Sequence, residues 1–527
     1  MLVANRGEIA LRIFRACREE GLSTAAVVAP DDLGSLHARS ADSVVEIASY
    51  LDLREHVRAA REAGADAVHP GYGFLAESAE LAEAVLAAGL VWIGPPPSAL
   101  RAGGDKLAAK ETARAAGVPV LPSGAPGEIG LPLLVKAAAG GGGRGMRVVR
   151  SATELGDAVE AARREAAAAF GDDTVFFERY LERPRHVEIQ LLADRHGAVV
   201  ALGERDCSVQ RRHQKVLEES PSPAVGPALR KSMSEAAVAF ARAIGYESAG
   251  TAEFVVDGGE FYFLELNARI QVEHPVTELV AGVDLVRAQL RIARGETLVT
   301  GARLRGHAVE VRLYAEDPRT FLPEAGRIDR LVLPTSVRVD AGVAEGDEIG
   351  TAYDPMIAKL IAYGDSRDEA LDRLAGALRE TEVAGVVTNL PFLRWLADHP
   401  VVRAGEATTA FLTEHPPLSR IPRAAPPWNA PWRLNLPSPP PAPPPSDDAA
   451  PTSAQEQSSL TAPMPGTVIK VLVRAGDRVA ARRPLVVLEA MKMETPLVSP
   501  YDAVVRAVHV TEGERVAGGT LLVELEE

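Results

Sequence analysis

Cysteine is almost missing from this chain: Cys17 and Cys207 are the whole supply in 527 residues. Two thiols cannot build a disulfide framework, which excludes the disulfide-stapled secreted class and points to a reducing, cytoplasmic compartment. Long apolar runs are missing too, and none approaches the roughly 18 residues that span a bilayer. The start, Met1-Leu2-Val3-Ala4-Asn5-Arg6-Gly7-Glu8, has no signal-peptide pattern and runs straight into structure. Basic residues are outnumbered, 57 Lys and Arg against 72 Asp and Glu, for a net charge of −15. That balance argues against nucleic acid and anionic membrane as partners, leaving local basic patches for small anions.

What is present is the composition of a globular protein, 46% hydrophobic and 24% charged. At this length three or four lobes are expected. Leu2–Ala4 reads as a strand feeding a helix that opens near Gly7, with Ile9, Ile13, Phe14 and Cys17 on one face and Gly21 as the stop. Ala25–Ala29 is the next strand, so the first hundred residues alternate β and α in the doubly wound manner. The opening strand looks too short for a central one: either the true start lies upstream or the strand is curtailed. His69–Glu77, broken by Gly71 and Gly73, reads in isolation as a tight βα connection.

The texture changes at Leu133. Leu133–Lys136 and Met146–Val149 are β-type flanks of the run Gly140–Gly143, which makes the run the tip of a hairpin. No Gly-Lys-Ser/Thr and no helix follow, so it is not a P-loop. A glycine hairpin can fold over a polyphosphate and offer its backbone N–H groups, while Lys136 reaches a phosphate oxygen as a point charge. Val175–Leu181 is a further apolar strand, and His186–Gln190 alternates as a half-buried one. Gln210-Arg211-Arg212-His213-Gln214-Lys215 is a dense cationic run. Such runs usually mark a solvated face, but beside a glycine loop in an acidic protein this one points to anion binding.

Thr251–Val256 and Phe261–Leu266 form a hairpin. A three-residue loop, Gly258–Glu260, sets Glu253 opposite Glu265, with Phe254/Leu264 and Val256/Tyr262 on the other face. A two-residue loop throws the two glutamates onto opposite faces. Facing carboxylates need a cation between them, and magnesium suits hard oxygen ligands. Asn267, Arg269, Gln271 and Glu273 continue at period two as one polar edge carrying metal ligands, a guanidinium and a candidate base. Arg312 follows the strand Ala308–Val311, Tyr353–Lys359 is a turn entering a strand, and Ser366–Glu369 is a capping box. The helix that box starts buries Leu371, Leu374 and Leu378.

Eleven prolines fall between Pro422 and Pro445, and the polar stretch Ser446–Ser459 follows. Polyproline II and disorder are expected, and at ~3.1 Å per residue Pro437–Leu460 spans on the order of 70 Å. The last 65 residues repeat at an offset of 37: Val468 matches Val505, Gly476 Gly513, Arg478 Arg515, Leu485 Leu522 and Leu488 Leu525. Two such halves pack most simply about a pseudo-twofold axis. That arrangement presents Lys492, within Glu489-Ala490-Met491-Lys492-Met493-Glu494, at an exposed turn fit for a covalently attached swinging cofactor.

Together Gly140–Met146, Glu204–Lys215, Glu265–Pro275 and Ala490–Met493 resemble the biotin-dependent carboxylases, over nearly the whole folded chain. The resemblance implies an α/β fold: a doubly wound N-terminal domain (1–104), an ATP-grasp domain with a glycine-rich lid (105–300) and a mixed C-terminal lobe (301–415). A Pro-rich linker (416–460) and an all-β biotinyl/lipoyl-like barrel-sandwich domain (461–527) complete it. It implies a ligase that carboxylates biotin, carried on Lys492, with ATP and bicarbonate. Lys106 and Lys136 would bind ATP phosphates under the Gly142–Gly143 lid. Glu178, Arg179, Tyr180 and Leu181 would border adenine, and His186, Gln210 and His213 the ribose. Glu253, Glu265 and Asn267 would hold Mg²⁺ or Mn²⁺. Bicarbonate would lie against Lys215, Arg269, Gln271 and Val272 with Glu273 as base. Carboxyphosphate would release CO₂ and phosphate, the phosphate would deprotonate biotin, and Arg312 would stabilise the resulting enolate-like anion.

Departures from the family pattern are Ala138 and Ala139 before the lid, Arg179 in place of lysine, and Ala268 in place of threonine. Gly117–Leu131 is short and looks to lack a helix before the lid. No sequence remains for a carboxyltransferase, so the resemblance implies a separate β subunit, as in acyl-CoA carboxylases acting on acetyl-, propionyl- or methylcrotonyl-CoA. A biotin protein ligase and a homo-oligomer within a hetero-oligomer are implied as well. The stretch Pro427–Leu436, with Trp428 and Trp432, resembles the start of a subunit-docking domain. Two alternatives stay open: the same half-reaction serving pyruvate or urea, and a carrier on an inactive nucleotide-binding scaffold.

Overall fold

The computed structural model describes residues 1–137, 146–170, 173–211, 214–298, 303–416, 459–462, 466–481, 483–490, 493–516 and 520–526. The glycine tip, most of the proline-rich linker with its tryptophans, and Lys492 lie outside them.

The first lobe is a five-stranded parallel sheet in the order Ser43–Glu46, Ala25–Val28, Leu2–Val3, Ala67–His69, Val91–Trp92. The opening strand, short as it is, sits at the centre. Two residues suffice because Leu2 and Val3 pair on both sides and are wholly buried. The helix Gly7–Glu19 follows and buries Ile9, Ile13, Phe14 and Cys17, each large side chain contributing roughly 1.5–3 kcal/mol by leaving water. Gly21, at φ +69°, ends it in the left-handed region that glycine enters freely.

An eight-stranded antiparallel sheet is built from strands between residues 185 and 364. Its order is Glu260–Asn267, Ser248–Asp257, Arg185–Ala193, Val199–Arg211, Gln214–Ser220, His307–Tyr314, Met356–Gly364, Arg338–Ala341. The strands before and after residue 300 thus belong to one sheet. Arg185–Ala193 alternates as expected, but it is not half-solvated: Val187, Ile189 and Leu191 face the core, and Glu188 and Gln190 on the other face are equally buried. The described parts of the cationic run lie on two antiparallel strands, with Gln210 paired to Lys215 and Arg211 to Gln214.

A small three-stranded sheet, Arg147–Val149, Leu133–Ala137, Val175–Arg179, carries the flanks of the glycine run in antiparallel register, Leu133 against Val149. A short helix, Pro126–Ile129, stands in the segment expected to lack one. Just before it, the chain bridges both sheets: Val120 pairs with Phe263 and Ser123 with Glu178. Further on, Ser366 caps the helix Arg367–Glu380, accepting from the Glu369 N–H, and Leu371, Leu374 and Leu378 are buried. Among the described residues no helix is long and apolar enough to cross a membrane.

The carrier unit is two four-stranded sheets. One has the order Ser459–Thr461, Leu521–Glu526, Ala503–Val508, Arg478–Val479, and the other Met493–Val498, Pro484–Ala490, Gly466–Val471, Arg515–Val516. Ser459 and Leu460, expected as linker, are in the first strand. Adding the 37-residue offset turns each strand into its counterpart in the other sheet, so the repeat is a true two-fold exchange. The Gly476 N–H donates to Val505 O and the Gly513 N–H to Val468 O, both at 2.7 Å. Ala490 pairs with Met493, the described residues that flank positions 491 and 492.

Candidate functional site

The hairpin at one edge of the large sheet turns on two residues, Gly258 and Gly259, at φ +57° and +87°, the left-handed pair that a tight hairpin turn requires. Asp257 pairs with Glu260 and Phe254 with Phe263. The expected three-residue loop and the Phe254/Leu264 and Val256/Tyr262 pairs are therefore not formed. Left alone, this register would separate the glutamates. A bulge at Leu264 inserts one residue, and Glu253 ends opposite Glu265 after all. The strand stops at Asn267 rather than continuing as a polar edge. The chain then bends into the helix His274–Ala281, and Glu273 stands at its N-terminal boundary.

That bend gathers the site around Lys215. Its ammonium donates to Glu188, to Glu253 Oε1 at 2.9 Å and to Glu273 Oε1 at 2.6 Å. Glu253 Oε1 also accepts from Asn267 Nδ2 at 2.8 Å and Gln271 Nε2 at 3.1 Å. His186 Nε2 stands 2.9 Å from Glu253 Oε2, and Gln210 Nε2 is 2.6 Å from His186 Nδ1. Arg269 Nη2 donates to Asn267 Oδ1 at 2.9 Å. All of these side chains but His186, Gln210, Lys215 and Arg269 are fully buried, and those four are half-buried.

Burial acts against every charge here, and the neighbours outweigh it. Desolvation would neutralise Lys215, but its three glutamates hold its pKa well above the ordinary value. Desolvation would raise Glu253 and Glu273, but Lys215 with His186, and Lys215 with Arg312, hold them well below the carboxylate range. His186, pressed down by burial, is lifted by Glu253. Arg312 reaches Glu273 Oε2 at 3.2 Å. The Val272 carbonyl accepts from the buried Lys359 Nζ at 2.8 Å.

A second cluster forms on the small sheet. The buried Glu178 accepts from Lys136 at 3.0 Å and from Lys110. Both ammoniums also stand over the Phe176 ring, at 5.9 and 5.3 Å. The neighbours follow the same turn: Arg179 is exposed, the Tyr180 N–H donates to Pro132 O, and Leu181 is buried. Gly142, Gly143, His213 and Lys492 lie outside the described residues, as does the side chain of Lys106, whose backbone opens the helix Lys106–Ala115.

Several members carry no signal in the sequence. Glu77, in the loop taken for a plain connection, brackets the site: Oε1 accepts from the Ala268 N–H at 2.9 Å and Oε2 from Arg269 Nε at 3.2 Å. Arg205 is wholly buried and donates to Glu188, Gln190, Thr277, Thr251 and Gln271. Its burial among polar residues could have been suspected only from the strand pattern of Glu188 and Gln190. His186, Glu188 and Glu253 lie close enough to share a cation.

Comparison with known proteins places the chain in a family. Residues 1–100 match the biotin carboxylase N-terminal domain and 310–414 the biotin carboxylase C-terminal domain. Residues 105–300 match the ATP-binding domain of the carbamoyl-phosphate synthase L chain, and 458–525 the family described as biotin-requiring enzyme. The chain is 47% identical to the biotin carboxylase of Halalkalibacterium halodurans over 439 residues, 79% of this chain and 97% of that one. It is 46% identical to the propionyl-CoA carboxylase alpha chain of Ruegeria pomeroyi, over 79% of this chain and 68% of the relative. It is 49% identical to the mitochondrial methylcrotonoyl-CoA carboxylase alpha subunit of Oryza sativa subsp. japonica, over 79% of this chain but only 60% of the relative's length. The biotin carboxylase β-γ-ATP complex from Campylobacter jejuni superposes with a TM-score of 0.77 at 40% identity, over 79% of this chain and 98% of that one. The biotin carboxylase domain of the Hydrogenobacter thermophilus 2-oxoglutarate carboxylase, with MgADP and bicarbonate, gives 0.76 at 43%, over 79% and 97%. The chain belongs to the biotin carboxylase family and carries a biotin-requiring-enzyme domain at residues 458–525.

Proposed function

We propose that this chain uses ATP and bicarbonate to carboxylate biotin attached to Lys492, the first half-reaction of an acyl-CoA carboxylase. The observation that carries the proposal is Glu273, held ionised between Lys215 and Arg312 in a buried cluster with Glu253, Asn267 and Gln271. Lys215 and Arg269 hold the bicarbonate anion, and Glu273 takes its proton so that it attacks the γ-phosphate. Lys136, with Lys106, holds the phosphates. Arg312 supplies positive charge where the biotin anion develops.

Glu253, Glu265 and Asn267 offer the hard oxygen donors magnesium or manganese takes, and Glu253 already draws one cation, the Lys215 ammonium. Bound there, the metal would neutralise phosphate charge. Biotin would supply the ureido nitrogen that receives the carboxyl group. Glu178, Arg179, Tyr180 and Leu181 border the base in this proposal, with His186, Gln210 and His213 on the ribose side. The domain limits 1–104, 105–300, 301–415, 416–460 and 461–527 belong to the same proposal.

A separate carboxyltransferase subunit takes the product, a biotin protein ligase loads Lys492, and the chain works as a homo-oligomer within a hetero-oligomer in the cytoplasm. Two buried, unpaired cysteines accord with that compartment. A second reading gives the product to pyruvate, because the chain is 47% identical to one of the pyruvate carboxylase subunits of Methanothermobacter thermautotrophicus, over 89% of that protein.

The test is ATP cleavage by the purified chain, expected to require both bicarbonate and biotin and to be lost in Glu273→Ala and Arg312→Ala. Unchanged turnover in either variant would falsify the roles. Pairing with candidate carboxyltransferases and offering acetyl-, propionyl- and methylcrotonyl-CoA, or pyruvate, separates the two readings.

A further inference from the structure

Beneath Arg312 the large sheet carries two carboxyl groups that the proposed reaction leaves unused. Glu218 and Glu310 are direct cross-strand partners, and both are wholly buried. Facing carboxylates in a dry setting repel each other, and among the described residues neither side chain accepts a well-aligned hydrogen bond. Arg312 is the cation in contact with Glu218, its Nη2 2.5 Å from Oε1. The same Nη2 is 3.2 Å from Glu273, while Arg312 Nε is buried with no acceptor among the described residues. One guanidinium is therefore divided between a carboxylate of the site and a carboxylate of the sheet.

We propose that Glu218 is a positioning residue for Arg312: it holds the guanidinium from the sheet side, and its gain or loss of a proton sets how much of the Arg312 charge is left for Glu273 and the anion formed beside it. This rests on the role given to Arg312 above. The groups facing Glu218 are Lys215 on its own strand, Arg312 and Glu310 on the strand His307–Tyr314, Glu273 at the helix start, and Cys207 on the strand Val199–Arg211. Burial pushes Glu218 up to about 7, with Arg312 pulling it back and Glu273 adding to the rise. Burial also holds Glu310 well above the ordinary range, against Lys359. Neutral Glu218 leaves the Arg312 charge to the site. Ionised Glu218 takes a share of it.

The variant that decides is Glu218→Gln, which keeps the shape and the acceptor and removes the titration. The wild-type kcat of biotin-dependent ATP cleavage is expected to inflect near neutrality and fall toward higher pH. Glu218→Gln is expected to lose that inflection, and Glu310→Gln, a neutral group for a neutral one, to keep it. Glu218→Ala is expected to lose at least tenfold in kcat with the KM for ATP unchanged, much of it regained in the Gln variant. An inflection that persists in Glu218→Gln, or a wild-type kcat in the Ala variant, overturns the proposal. Difference infrared spectra across neutral pH read the same proton without turnover: the protonated-carboxyl band of the wild type is expected to be weaker in Glu218→Gln, the remainder belonging to Glu316, which burial also pushes up to about 7. A wild type that cleaves no ATP in response to biotin sinks the reaction assigned above, and the infrared arm still decides on Glu218. A band unchanged in Glu218→Gln overturns it.

Discussion

The Lys215 ammonium and the Glu273 carboxylate stand 2.6 Å apart, and Arg312 holds the other carboxylate oxygen at 3.2 Å. The contact keeps Glu273 free of a proton and, by the same charge, makes it a weak base. On the proposed reading, incoming bicarbonate would compete for Lys215, and each contact it won would return basicity to Glu273. On that reading the site would strengthen its base only when the anion to be deprotonated had arrived.

Removing the Lys215 charge should make this visible. In Lys215→Gln the Glu273 pKa moves back up toward its ordinary value of 4.5. The acidic limb of the kcat/KM profile should therefore shift to higher pH, while kcat falls because the anion has lost a partner. A limb that stays in place would separate Glu273 from the observed titration.

The same variant should be less stable. Glu188, Glu253 and Glu273 all meet on one ammonium, and taking one partner from a buried ion cluster costs about 3–5 kcal/mol. Adding Glu253→Gln to Lys215→Gln removes one surplus negative charge, while Glu188 keeps Arg205 and Glu273 keeps Arg312, and should recover part of the loss. Denaturant unfolding of the two variants measures the difference. No recovery would mean the cluster is not limited by its unpaired charge.

Stability should also fall on mild acidification. Burial pushes His69 down to about 3 and His37 down to about 4, from an ordinary 6.5. A group depressed on folding favours the folded state fully above its unfolded value and gives that up as pH falls toward the folded one. The decline should therefore begin near 6.5 and steepen below 4.5, where Glu253 and Glu273, also depressed, begin to matter. Thermal unfolding midpoints across this range test it, and a His37→Asn/His69→Asn chain should show a shallower decline above 4.5.

How far the site was legible depends on what sets each contact. The Glu253–Glu265 pairing was foreseen from a three-residue loop, yet it arises from a two-residue turn corrected by a bulge at Leu264. Alternation reveals which residues share a face but not where a register slips. The doubly wound lobe and the two-fold carrier were legible because periodicity and repetition are local. Glu77, Glu188, Arg205 and Glu218 were not, because each is defined by partners on distant strands: Glu77 meets Arg269 across 192 positions. Polar residues at strand positions look the same whether they face solvent or a buried pocket.

Arg205 gives the sharpest structural test of that hidden layer. Nε, Nη1 and Nη2 together reach five acceptors on four neighbouring segments. Lysine keeps the charge but cannot fork. Arg205→Lys is expected to lose about 3–5 kcal/mol of stability, because it strands buried polar groups, and to weaken catalysis through Gln271, which Arg205 orients. A variant of wild-type stability would show that water replaces the lost donors.

The carrier unit tests its own symmetry. Gly476 at φ +95° and Gly513 at φ +87° each donate an N–H across the two-fold, to Val505 and Val468. A β-branched residue in this left-handed region costs roughly 1–2 kcal/mol, and the two positions are structural equivalents. Gly476→Val and Gly513→Val in the full chain should therefore lower the carrier's unfolding midpoint by similar amounts. Both should also reduce biotin on Lys492, read by mass spectrometry after exposure to a biotin protein ligase, and Lys492→Arg should carry none. If only one valine variant were impaired, the halves would not be equivalent and the ligase would be reading one of them. If Lys492 stayed unmodified in the wild type, the carrier would have no cargo to deliver to Glu273 and Arg312.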